Sequence, residues 1–183
     1  MIRLSKEKYI SEFISTQMIR YAITGHTRGI GRRTFERLNP NIIGFSKSTG
    51  YDISKYIDRQ RIIAESCDCD VFINNATEGF AQTYMLLDLV NAWGDNPNKT
   101  IINVGSRIAE IDVLPEHLKH LRYYQAEKLS IKQYSQRLAP TSKCNIPYRW
   151  LTYVGTEAIL AEYPNFKPGD YITEDEAVDI ILS

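Results

Sequence analysis

Thr24-Gly25-His26-Thr27-Arg28-Gly29-Ile30-Gly31 is the stretch on which the fold turns. An apolar, β-prone run, Ile19 to Thr24, leads into it, and a helical segment over roughly 30 to 38 leaves it, ended by Asn39-Pro40. Strand, glycine-rich turn and helix, in that order, are the context a phosphate-binding loop requires. Glycine has no Cβ, so the backbone can turn tightly and approach a pyrophosphate, while the helix N-terminus offers unpaired N–H groups and a partial positive charge. Arg28 adds a full charge. Taken alone, the glycine triplet is equally compatible with a turn that binds nothing.

Outward from the loop, strands and helices alternate. Asn41 to Ser46 reads as a second strand, Ser48 to Gly50 as a turn, and Ser54 as the N-cap of a helix running to about Ser66. Val71 to Asn74 and Thr100 to Gly105 are short buried strands, separated by a helical repeat over 80 to 93 and a break at 94 to 98. A long helix spans about 121 to 138, Trp150 to Val154 suggests a last strand, and Thr173 to Glu176 caps a final helix with Ala177, Ile180 and Ile181 facing inward. This alternation predicts an α/β fold: a Rossmann-type, doubly wound parallel sheet of about six strands with helices on both faces. Such sheets bind ligands at the carboxyl ends of their strands. Residues 1 to 17, with Tyr9, Ile10, Phe13 and Ile14 at helical spacing, read as an amphipathic extension, and 18 to 183 as one domain.

Composition narrows the partners. The chain has 183 residues, enough for one core, and 22 basic side chains balance 22 acidic ones. No field of one sign draws it to nucleic acid or anionic lipid. Its apolar runs fall short of a membrane helix and the N-terminus lacks a signal-peptide core, so a cytoplasmic protein is expected. Three cysteines, with Cys67 and Cys69 two apart, give no disulfide framework and only a weak metal motif, and His117 and His120 read as solvated loop residues. No metal site is expected.

At the end of the second strand, where NAD-preferring sites place an acid, the chain has Ser46 and Lys47. A hydroxyl and an ammonium can bind a 2′-phosphate that an acid would repel, which favours NADP over NAD. The alternative is that Lys47 is solvated and Asp52 meets the ribose, which reverses the preference.

The ordered set Thr24-Gly25-x-x-x-Gly29-x-Gly31, Asp52-Ile53-Ser54, Asn74-Asn75-Ala76, Ser106 and Tyr124-x-x-x-Lys128 resembles the short-chain dehydrogenase/reductase family over about residues 18 to 181. The resemblance implies an adenine contact for Asp52, a cofactor-facing turn for Asn74 to Ala76, and the chemistry for Ser106, Tyr124 and Lys128. Candidate cofactor contacts are therefore Gly25, Thr27, Arg28, Gly29, Ile30, Gly31, Ser46, Lys47, Asp52, Ile53, Asn74, Asn75, Ala76, Tyr124 and Lys128. The implied activity is NADP-dependent hydride transfer to or from a small carbonyl or alcohol. The implied assembly is a homodimer or homotetramer paired through helices 80–93 and 121–138.

The physics of the trio can be stated separately. A four-residue spacing puts Tyr124 and Lys128 on one helix face. An ammonium about 4 Å from a phenol contributes on the order of 4 kcal/mol at an effective dielectric of 20, enough to draw a pKa of about 10 toward 7. Ser106 would orient the substrate oxygen. Tyr51/Lys55 and Tyr163/Lys167 share the spacing, but Tyr51 precedes the middle strands and Pro164 interrupts the other pair.

Departures from the family pattern are also expected to matter. Thr77 stands where the family has glycine, Ser106 and Tyr124 lie eighteen residues apart, and the usual helix between the second and third strands has no counterpart. No asparagine falls where the family's helix-borne catalytic Asn is expected; Glu78 and Gln82 are nearest. The usual last strand is not found before Ser183, and Gly155 to Thr173 leaves little room for substrate-covering helices. A catalytically silent dinucleotide sensor or scaffold is the alternative function.

Overall fold

The computed structural model describes residues 18–183, so the helix expected over 1 to 17 lies outside the described residues. Five strands form the sheet: β1 (Tyr21–Thr24), β2 (Ile42–Phe45), β3 (Val71–Asn74), β4 (Thr100–Ser106) and β5 (Tyr148–Leu151). Six helices accompany them: α1 (Gly29–Leu38), α2 (Tyr56–Glu65), α3 (Ala81–Trp93), α4 (Arg122–Leu138), α5 (Glu157–Glu162) and α6 (Glu174–Leu182). All strand pairs are parallel, in the order β2-β1-β3-β4-β5. Chain direction across the sheet reverses between β1 and β3, the switch point at which doubly wound sheets open a crevice.

Successive strand residues bury on opposite faces, which is why the strands read as continuous apolar runs. Ala22, Phe72 and Ile101 enter one core with Met85, Leu86, Leu89 and Trp93 of α3 and Ile131 of α4. Ile23, Ile73 and Ile102 enter the other, with Phe35 of α1 and Ala177 and Ile181 of α6. The α6 helix carries the expected capping box: the Glu176 amide donates to Thr173 Oγ1 at 3.2 Å, and the Thr173 amide to Glu176 Oε2 at 2.7 Å. Arg33 clamps the same helix through paired bonds to Asp175 at 2.9 and 2.8 Å, and Arg37 reaches Asp175 and Asp179.

Several boundaries differ from those read in the sequence. The count is five strands against about six, since no strand follows β5 among the described residues. β5 begins at Tyr148 because Tyr148 pairs with Asn103, and by Tyr153 the chain has left the sheet; Val154 instead bridges to Ile172. Ser54 is not an N-cap. Its amide and hydroxyl both donate to Asp52 Oδ1, at 3.0 and 2.7 Å, and Lys55 takes the cap position without a side-chain bond. The expectation that the helix between the second and third strands is missing does not hold: α2 fills that connection, preceded by a single 3-10 turn, Lys47–Thr49. The segment 155 to 173 does hold one short helix, α5, capped by Thr156.

Candidate functional site

The crevice at the β1/β3 switch point is a cleft of about 870 Å³ lined by Gly25, Thr27, Arg28, Ser46, Lys47, Asp52, Ile53, Asn75 and Ala76 from the expected set. Phe45, Ser48, Tyr51, Thr77 and Glu78 join them. Gly25 turns with φ +78, and a Cβ on Gly31 would fall 2.1 Å from the Gly25 carbonyl oxygen, so the loop closes on the helix only with glycine at both positions. Thr24 stitches β1 to β3: its hydroxyl accepts from the Asn75 and Ala76 amides, each at 3.1 Å, and its carbonyl accepts from Asn75 Nδ2 at 3.0 Å.

Not every expected contact reaches the cleft. Ile30 packs into the α1/α6 core. Asn74 is fully buried, its Nδ2 donating to Gln82 O and Asn103 Oδ1, both at 2.9 Å. Gly29 and Gly31 shape the loop rather than line the cleft, because each is packed against protein: Gly29 against Thr156 and Gly31 against the Gly25 carbonyl.

Across the floor, the hydroxyls of Thr27, Ser46 and Ser48 form a ring at 3.1, 2.8 and 3.2 Å. Lys47 stands beside it, but not free of acids as its sequence neighbours suggest. Its Nζ is 3.5 Å from Asp52 Oδ2 and 3.8 Å from Glu78 Oε2, because the short β2–α2 connection and the β3–α3 loop face each other across the cleft mouth. Two bonds from Ser54, with Lys47 adding to them, hold the Asp52 carboxyl below the ordinary carboxylate range despite partial burial.

The remaining residues meet at the C-terminal end of β4. Ser106 ends the strand and caps a 3-10 turn, Arg107–Glu110, accepting from the Ile108 amide at 3.4 Å. Tyr124 lies in the first turn of α4 and Lys128 one turn on. Neither rival pair shares a helix: Tyr51 precedes α2 and bonds Glu65 at 2.7 Å, and Tyr163 is the residue after α5. Gln125 Nε2 donates to the Ile108 and Ile111 carbonyls, tying the long 107–121 connection to α4.

Lys128 differs from expectation. Its side chain is buried, with Nζ over the Tyr124 ring at 5.6 Å from the centroid, and it donates to Thr77 Oγ1 and Gln82 Oε1, each at 2.8 Å, and to Val104 O at 3.4 Å. Burial lowers its pKa to about 8. The Tyr124 phenol is therefore not drawn down toward 7: burial pushes it up, and the facing Ser106 hydroxyl offsets that only in part. Gln82 is the site residue that sequence reasoning left unassigned. Its Nε2 donates to the carbonyls of Asn74 and Val104, at 2.7 and 2.8 Å, which fixes Oε1 toward Lys128. The signal for it was a polar residue on the inward face of an otherwise apolar helix.

No sequence-family model matches the chain, and no curated protein does. Solved structures match its shape. A "short chain dehydrogenase/reductase family protein" superposes with a TM-score of 0.70 at 15% identity, over 89% of this chain and 88% of that one. A "small-chain dehydrogenase in complex with NADPH" gives 0.69 at 15% identity, over 90% and 89%. A short chain dehydrogenase from Burkholderia cenocepacia J2315 in complex with NADP gives 0.69 at 18% identity, over 90% and 82%. By its sheet, its crossovers and the extent of these superpositions, the chain has the fold of the short-chain dehydrogenases/reductases.

Proposed function

We propose that this chain is an NADP-dependent oxidoreductase that moves hydride between the nicotinamide and a small carbonyl or alcohol. The observation that carries the proposal is the meeting of Ser106, Tyr124 and Lys128 at the end of β4, at the same carboxyl-terminal end of the sheet as the glycine cradle. The cradle fits a dinucleotide. Gly25, turned at φ +78, lines the cleft with bare backbone, the cleft matches the size of small-molecule sites, and Arg28 and the hydroxyl ring supply donors for phosphate. Two solved relatives are themselves complexes with NADP or NADPH.

When bound, the cofactor supplies hydride donor and acceptor chemistry. The chain's own residues then handle the proton. Ser106 hydrogen-bonds the substrate oxygen and Tyr124 exchanges a proton with it, while Lys128 holds positive charge beneath the phenol ring. NADPH oxidation across a panel of aldehydes, ketones and quinones tests the activity. A silent cofactor sensor is the second reading, and the hydrogen bonds that Lys128 makes to Thr77 and Gln82 favour it. Tight NADPH binding with no turnover across the panel would select it.

NADPH should bind at least about tenfold tighter than NADH, a gap of about 1.4 kcal/mol. Calorimetric titration of both decides this, and Lys47→Ala should remove most of the preference. Equal affinities would place Asp52 or Glu78, rather than Lys47, in control of the ribose. The protein should also associate through α3 and α4, whose outer faces expose Tyr84, Leu129 and Tyr134. Light scattering at micromolar concentration should give a dimer or tetramer of the 21.1 kDa chain; a monomer alone would contradict it.

A further inference from the structure

A second cleft, of about 600 Å³, runs along β5 at the outer edge of the sheet to the end of β4. Arg107 and Arg149 line it, and among the described residues neither is in ion-pair contact with a carboxylate. One polar atom of a lining residue, Arg149 Nε, is buried with no hydrogen-bond partner among the described residues. Buried donors of this kind carry a desolvation penalty that a ligand acceptor would relieve. Two guanidiniums lining one cleft match a planar or tetrahedral oxyanion, which accepts several charge-assisted bonds at once.

Arg107 connects this cleft to the chemistry proposed above. Arg107 directly follows Ser106.

We propose that this cleft holds a compact oxyanion of the substrate, a carboxylate or a phosphate, on Arg107 and Arg149. The proposal rests on the oxidoreductase reading for the other end of the substrate. It makes the substrate class an oxo or hydroxy acid, or its phosphorylated counterpart, rather than a neutral carbonyl.

The test is calorimetry on the full chain with acetoacetate, its methyl ester and inorganic phosphate, repeated on Arg107→Gln and Arg149→Gln. Acetoacetate or phosphate should bind to the wild type and lose at least about tenfold in affinity in each variant, with the ester indifferent to both changes. Acetoacetate binding marks a carboxylate site, and phosphate binding without it marks a phosphate site. Fluorescence of Trp150, in the cleft wall, should respond to the anion, and Trp150→Phe should remove that response. Arg107 is exposed, so its replacement leaves the core intact and decides the matter even if Arg149→Gln fails to fold. Acid and ester binding alike, no binding of either anion, or unchanged affinity in Arg107→Gln would overturn the proposal. A parallel NADPH titration separates the two claims, since loss of NADPH binding defeats the cofactor reading while the anion titration still stands or falls alone.

Discussion

Replacing Tyr124 with phenylalanine is expected to lower turnover roughly 10²- to 10⁴-fold, the usual worth of a positioned proton donor, while leaving NADPH affinity nearly unchanged. The structure gives reasons for both halves. The substitution removes one hydroxyl and keeps the ring over which Lys128 Nζ sits, and none of the hydrogen bonds of Lys128 goes to the phenol. Because burial raises the Tyr124 pKa, the phenol is neutral at pH 7 and ready to give its proton to a carbonyl oxygen. Reduction should therefore be the faster direction at neutral pH. Steady-state rates on a verified substrate, with calorimetry for NADPH, check the prediction, and full activity in the variant would remove Tyr124 from the mechanism.

The second large effect concerns Lys128, and it has a pH signature. With a pKa of about 8, the buried ammonium loses its proton just above neutrality. If its charge supports Tyr124, kcat/KM should be level below pH 8 and fall about tenfold per unit above it, while Lys128→Met should be slow at every pH. Stability should move the other way. The folded-state pKa lies below that of the unfolded chain, so between pH 8 and about 10.5 the unfolded state binds more protons and stability rises with pH. Below pH 8 the cost of the buried charge is present in full. Urea unfolding at pH 8 and 9.5 should show wild type gaining about 2 kcal/mol relative to Lys128→Met. Parallel curves would mean that Lys128 titrates at its ordinary value.

Much of this site can be read from the chain, and the parts that cannot share a cause. Local rules suffice where a residue's role is set by its neighbours in sequence. Gly25 and Gly31 are needed by the turn itself, Thr173 and Glu176 cap α6 from within four residues, and Tyr124 and Lys128 face one way because a helix repeats. Roles set across the fold are not visible in that way. Lys47 meets Glu78, thirty-one positions away, only because two loops face each other over the switch point. Gln82 reaches Lys128 because α3 and α4 cover the same face of the sheet, and its carboxamide is oriented by carbonyls of two strands. The phenol pKa illustrates the same limit: spacing on a helix predicts a shared face with an ammonium, but not that burial raises the Tyr124 pKa and lowers that of Lys128.

Single-turnover isotope tracing follows the proposed hydride from cofactor to product. The full chain would be mixed with NADPH carrying deuterium at both C4 positions and a panel of carbonyl compounds that includes oxo acids, and the products read by mass spectrometry. Wild type should form an alcohol one mass unit heavier, and Tyr124→Phe should not. Saturation with NADPH and no deuterium in any product would contradict it.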